Sequence, residues 1–109
     1  MNIYIAGKIT GLPIEEYTRL FNEAKGMIGG YGYNAINPIE ICAHLPEQSQ
    51  WADCMDVCLQ RLLRADAIWL LPNWEESKGA RIEKAIADQL QIIQFLHSNM
   101  LEFDPFIHH

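Results

Sequence analysis

Asp66–Pro72 reads DAIWLLP, five consecutive apolar residues set between an acid and a proline. A strand with one face in water alternates polar and apolar residues, so a short unbroken apolar run belongs to a strand covered on both faces. Similar segments recur outward in both directions. Asn2–Ala6 (NIYIA) stops at Gly7, Tyr33–Ile36 closes at Asn37 and Pro38, and Ile92–Leu96 (IIQFL) makes a last run. Between the first two, from Glu15 to about Ile28, Tyr17, Leu20, Phe21, Ala24, Met27 and Ile28 recur at helical spacing, after Pro13 and before Gly29 and Gly30. A proline-bounded polar stretch from Pro38 to about Ser49 reads as a loop. Trp51–Leu63 follows as a helix with Trp51, Met55, Cys58, Leu59, Leu62 and Leu63 on one face. Glu76–Leu90 is the last helix, with Ile82, Ala85, Ile86 and Ala87 expected to face inward. Alternation of this kind predicts an α/β fold: a parallel sheet of four or five strands in the order 2-1-3-4, right-handed crossovers, and helices on both faces.

The 109 residues are expected to make a single domain, with a tail from residue 97 to 109 whose pattern predicts no element. Half the residues are hydrophobic, enough for a core without staples. Eight basic residues against fourteen acidic ones leave a net charge of −6, which argues against a nucleic-acid polymer as partner because phosphate binding needs Lys and Arg. No apolar stretch of about 18 residues is present, and the start lacks the basic and apolar regions of a signal peptide. The expectation is therefore a cytoplasmic protein with no membrane partner. Cys42, Cys54 and Cys58 form an odd set and read as reduced, buried thiols rather than a disulfide framework. Cys54 and Cys58 would share a helical face, with His44 not far off, but C-x-x-C spacing is absent and no metal is assigned.

An open parallel sheet binds its ligand at the carboxyl ends of its strands, where the strand order reverses. Three loops meet that condition: Gly7 to Pro13, Asn37 onward, and Pro72 to Ser77. In the first, Gly7 and Gly11 allow close backbone approach while Lys8 and Thr10 offer donors; a tight turn with no ligand fits the same residues. In the third, Ser77 stands at a helix N-cap, where its hydroxyl and free amides make an anion site, and Glu83 lies six residues on. On these residues alone the favoured reading is plainer: Ser77 only caps the helix and Glu83 is a solvated surface acid. Glu75 and Glu76 repel phosphate; Lys78 and Arg81 offset them.

The stretches IYIAGKITG, YGYNAINP, ADAIWLLPNW and SKGARIEKAIA together resemble the nucleoside 2-deoxyribosyltransferase superfamily, in particular its small bacterial and phage branch and the related 2′-deoxynucleoside 5′-monophosphate N-glycosidases. The likeness runs from Asn2 to about Leu96. It implies a flavodoxin-like or Rossmann-like three-layer sandwich, in agreement with the alternation. It also implies cleavage or transfer at the N-glycosidic bond of a 2′-deoxynucleoside without a cofactor. The family's nucleophilic glutamate follows its Ser or Asp by six positions and a Gly by four, so the resemblance places it at Glu83, with Gly79 as that Gly. A carboxylate suits the role because it stabilises oxocarbenium-like charge, bonds to the sugar and leaves again. Tyr4 matches the strand tyrosine that orients this carboxylate.

At position 77 relatives acting on free nucleosides carry Asp, whereas the monophosphate hydrolases carry Ser, so Ser77 implies a 5′-phosphate. Gly7, Lys8, Ile9, Thr10 and Gly11 would form the other side of the pocket, joined by Asn73 and by Trp74, which could stack on a base or pack on the neighbouring helix. The pattern departs at Cys58, where many relatives have an Asp that helps protonate the leaving base; a thiol is a poor acid for that task. Asp53 and Asp56 share the segment, but Asp56 is two residues away and points to another face. The alternative to an enzyme is thus a non-catalytic binder of a nucleotide or nucleotide signal. Relatives complete their sites across a subunit interface, so the resemblance also implies a homodimer or an assembly of dimers. The Pro38–Trp51 segment is a candidate for that contact or for a lid.

Overall fold

The computed structural model describes residues 1–97; the tail from 98 onward lies outside the described residues. The elements run β1 (Asn2–Ala6), α1 (Ile14–Gly30), β2 (Asn34–Ile36), α2 (Pro38–Cys42), α3 (Trp51–Leu62), β3 (Ala67–Leu70), α4 (Lys78–Leu90) and β4 (Ile93–Leu96), with a short 3-10 turn at Trp74–Glu76 before α4. The sheet has four strands in the order β2-β1-β3-β4, and every pairing is parallel. This is the expected order.

Because side chains alternate across a strand, β1 splits its residues between two cores. Ile3 and Ile5 join Phe21, Ala24 and Ile28 of α1, together with Ala67, Trp69 and Phe95. Tyr4 and Ala6 join Cys58 and Leu62 of α3, Ala80 and Ala87 of α4, and Ile68 and Leu70. The result is three layers. Asp66–Pro72 fulfils its reading, since all four residues of β3 are buried between β1 and β4. The direction of strand order reverses between β1 and β3, and the crevice above their carboxyl ends lies on the α3 and α4 side.

Several local features differ from the sequence reading. Gly29 and Gly30 lie within α1; the turn comes at Gly32, whose φ of +83° suits a residue without Cβ. Pro38–Cys42 is helical where a loop was expected. The Asn37–Pro38 pair that ends β2 also starts that helix, with the Asn37 side chain accepting the Ile39 amide at 3.0 Å and proline at the first turn, where no amide hydrogen is needed. On α4 the buried stripe is Ala80, Glu83 and Ala87. Ala85 is exposed, and Ile82 and Ile86 are only half-buried, so the inward face is rotated from the expected one.

The cysteines also differ. Cys42 and Cys54 form a disulfide between α2 and α3, in place of two of the three expected thiols. The unexpected helix is the reason: it brings the Cys42 and Cys54 Cα atoms to 5.4 Å, a separation a disulfide can span. Cys58 is a buried free thiol as expected. Among the described residues no helix is long and apolar enough to cross a membrane.

Candidate active site

Among the described residues Glu83 is the acid that the fold buries. It lies on the core-facing stripe of α4 and is only 5% exposed. Its position follows from helix geometry: Ala80 and Ala87, three residues before and four after, pack under the helix, and the residue between them must point the same way. The Tyr4 hydroxyl, from the middle of β1, donates a hydrogen bond to Glu83 Oε2. Tyr4 is itself fully buried, so the pair is fixed by the register of the sheet against α4. Burial pushes the Glu83 carboxyl up from its ordinary 4.5 to about 7, and the Tyr4 hydrogen bond partly opposes that rise. The Tyr4 hydroxyl is in turn held well above its usual range, by burial first and by the Glu83 charge second.

Glu83 opens into a cavity of about 560 Å³ above the sheet crevice, within the size range of small-molecule sites. One wall is Gly7, Ile9 and Thr10 after β1; another is Ser77, Gly79 and Ala80 at the start of α4; Trp51, Met55 and Cys58 of α3 close it. Ser77 caps α4, its Oγ accepting the Ala80 amide at 3.1 Å. That bond uses an acceptor site and leaves the hydroxyl proton for another partner. The amides of Lys78 and Gly79 fall in the first turn, where no intrahelical acceptor exists. Lys78 and Arg81 also line the cavity. The Lys78 ammonium lies 4.7 Å from the Trp51 ring centroid, while Arg81 Nη1 donates to the Glu75 carbonyl at 2.7 Å.

The structure thus brings together Glu83, Tyr4, Gly7, Ile9, Thr10, Ser77 and Gly79 of the expected set. Lys8, Gly11, Asn73 and Trp74 do not line the cavity. Lys8 turns to Glu76, with Nζ 3.7 Å from the carboxylate, and its amide donates to Asn73 Oδ1 at 3.1 Å, so Asn73 ties the first loop to the third. Gly11 has a φ of +89° and serves the turn. Trp74 packs against the α3/α4 core. Gly7 has a packing role besides lining the site: a Cβ there would come within 2.5 to 3.0 Å of the Leu71 side chain. Met55, visible only as one face of a helix, is a cavity residue that sequence reasoning missed, and Trp51, expected at a subunit contact or a lid, lines the cavity too. Asp53 accepts the Gln50 amide at 2.7 Å, and Asp56 lines a separate shallow depression with Leu45 and Val57.

A family model described as a domain of unknown function, DUF4406, matches residues 1–94. The chain belongs to that family. No curated protein matches this DUF4406 chain in sequence. Among solved structures it shares the fold of a 2-deoxyribosyltransferase from the psychrotolerant bacterium Bacillus psychrosaccharolyticus, with a TM-score of 0.70 at 17% identity, over 88% of this chain and 71% of that one. The expected α/β architecture and the resemblance to the nucleoside 2-deoxyribosyltransferase superfamily are thereby borne out at the level of the fold.

Proposed function

We propose that this DUF4406 protein cleaves or transfers at the N-glycosidic bond of a 2′-deoxynucleoside 5′-monophosphate, with Glu83 as nucleophile. The observation that carries the reading is the buried Glu83 carboxylate, held by Tyr4 and open to a nucleotide-sized cavity. Burying an acid at a core position costs stability, and a strongly perturbed carboxyl in a cleft is where catalysis is sought first.

In the first step a Glu83 oxygen bonds to C1′ as the C1′–N bond breaks, and the base leaves with a proton taken from solvent at the cavity mouth, which the attacking water returns in the second step. In the second, water or another base attacks C1′ and frees the carboxylate. Tyr4 holds Oε2, leaving Oε1 for the sugar. The 5′-phosphate sits at the start of α4, where the Ser77 hydroxyl donates, the first-turn amides point outward and Lys78 adds charge. Trp51 offers a π-face to the base. A homodimer is part of the proposal, with the half-exposed Trp51 (45%) at its edge.

A second reading is favoured by Cys58. Burial pushes its thiol up, so it is a very weak proton donor where a leaving base needs one. A binder that keeps the pocket without turning over follows if nothing replaces it; Glu76 is the other carboxyl on the cavity wall. Release of free base from the four dNMPs, for wild type and Glu83→Ala, separates the two. The enzyme reading expects release that falls on the order of 10³-fold or more in the variant. Absence of Glu83-dependent release, with dNMPs still raising Tm, establishes the binder instead.

A further inference from the structure

Among the described residues, a second cluster of reactive side chains lies outside the Tyr4–Glu83 pair, and the proposed chemistry uses none of its thiols. Cys42 at the end of α2 and Cys54 and Cys58 on one face of α3 bring their sulfur atoms within 4.8 Å of one another. Cys58 Sγ stands 3.6 Å from Cys42 Sγ and 4.0 Å from Cys54 Sγ. In a metal–thiolate site with bonds of about 2.3 Å, neighbouring sulfurs are separated by roughly 3.8 to 4.0 Å. Two edges of such a triangle are therefore already in place, and the third is the Cys42–Cys54 disulfide.

We propose that the reduced form of the chain binds one thiophilic d10 cation, Zn²⁺ or Cu⁺, through Cys42, Cys54 and Cys58. A dithiol supplies the two electrons and two protons that open the disulfide and becomes a disulfide itself. The cation then replaces three thiol protons, forming three metal–sulfur bonds. Once unlinked, the Cys42 and Cys54 sulfurs need part only by about 2 Å to complete the triangle, a displacement within reach of side-chain rotation at two partly buried positions. An all-sulfur donor set selects soft or borderline ions over Mg²⁺ and Ca²⁺. Cys54 and Cys58 line the 560 Å³ cavity, so a fourth coordination position would open toward it. C-x-x-C spacing, absent along the chain, is not needed for such a site. Here a helical pair four residues apart takes its third ligand from another helix.

The test uses the full chain, reduced with a dithiol, freed of it under anaerobic conditions, and titrated in parallel with Co²⁺ followed by Zn²⁺, and with Cu⁺ against a chromophoric chelator. The expected result is one ion per chain, a thiolate-to-cobalt charge-transfer band that Zn²⁺ abolishes or tight Cu⁺ capture, and no binding by the oxidised chain. Cys58→Ser and Cys42→Ser should each weaken binding by at least the roughly 10- to 100-fold that loss of an outer-sphere partner alone costs. Should those variants not fold, thiol labelling of wild type decides: the partly buried Cys42 and Cys54 thiols react without metal and are protected together by one equivalent. Binding no tighter than to the oxidised chain, or labelling unchanged by either metal, overturns the proposal.

Discussion

Replacing Glu83 by Gln keeps the size of the side chain and an oxygen for Tyr4 while removing the ionisable proton. The folded-state carboxyl titrates at about 7 against an ordinary 4.5, so between those values the native state holds a proton that the unfolded state has released. By linkage, unfolding free energy then falls as pH rises, because the unfolded state binds fewer protons. The stabilisation of the protonated form is complete below about 4.5 and is lost as pH climbs through about 7. A separation of that size is worth about 3 kcal/mol in full, of which about 2.5 kcal/mol is lost between roughly pH 5 and pH 8. The amide of the Glu83→Gln variant has no such dependence. Urea denaturation of wild type and Glu83→Gln across this range should show the variant gaining on wild type by about 2 to 3 kcal/mol as pH rises. A difference between the two proteins that stays flat with pH would refute the claim that this carboxyl is desolvated in the fold.

Tyr4→Phe removes the hydrogen bond that lowers the Glu83 titration point, so the rising limb of the pH–rate profile for base release should move to higher pH; an unmoved limb would show that the two do not interact in solution. Ser77→Ala should cost about 1 kcal/mol through the lost cap of α4, and should lower kcat/KM for dNMPs more than for the unphosphorylated deoxynucleosides, which a substrate series measures directly. Gly7→Ala should destabilise by about 1 to 3 kcal/mol because the added methyl meets the Leu71 side chain; urea midpoints check it, and an unchanged midpoint would mean that the loop after β1 yields freely.

The strand order was legible because each strand announces itself without reference to the others. The apolar run of β3, the Gly stop of β1 and the Asn–Pro close of β2 are local signals, and once four strands alternate with helices the handedness of crossovers leaves few arrangements. What escaped was set by tertiary contact. The helix at Pro38–Cys42 is only five residues long, too short for periodicity to register, and its capping Asn and leading Pro are also good turn residues. Without that helix nothing brings Cys42 beside Cys54, so the disulfide and the three-sulfur cluster were hidden together.

The rotation of α4 has a more instructive cause. Its apolar residues Ile82, Ala85 and Ile86 favour one inward face, yet the helix buries Ala80, Glu83 and Ala87. Two of these are small, which lets the helix lie close over the sheet, and the third is an acid that no hydrophobic pattern would place there. Packing alone would turn the isoleucines under and the carboxylate out. The observed rotation gives up some of that apolar burial for a position from which Glu83 reaches both Tyr4 on β1 and the cavity mouth. Where the local preference of a helix and its seat in the fold disagree, a functional demand is the usual cause. In this chain the disagreement falls on the carboxylate that the proposed chemistry needs.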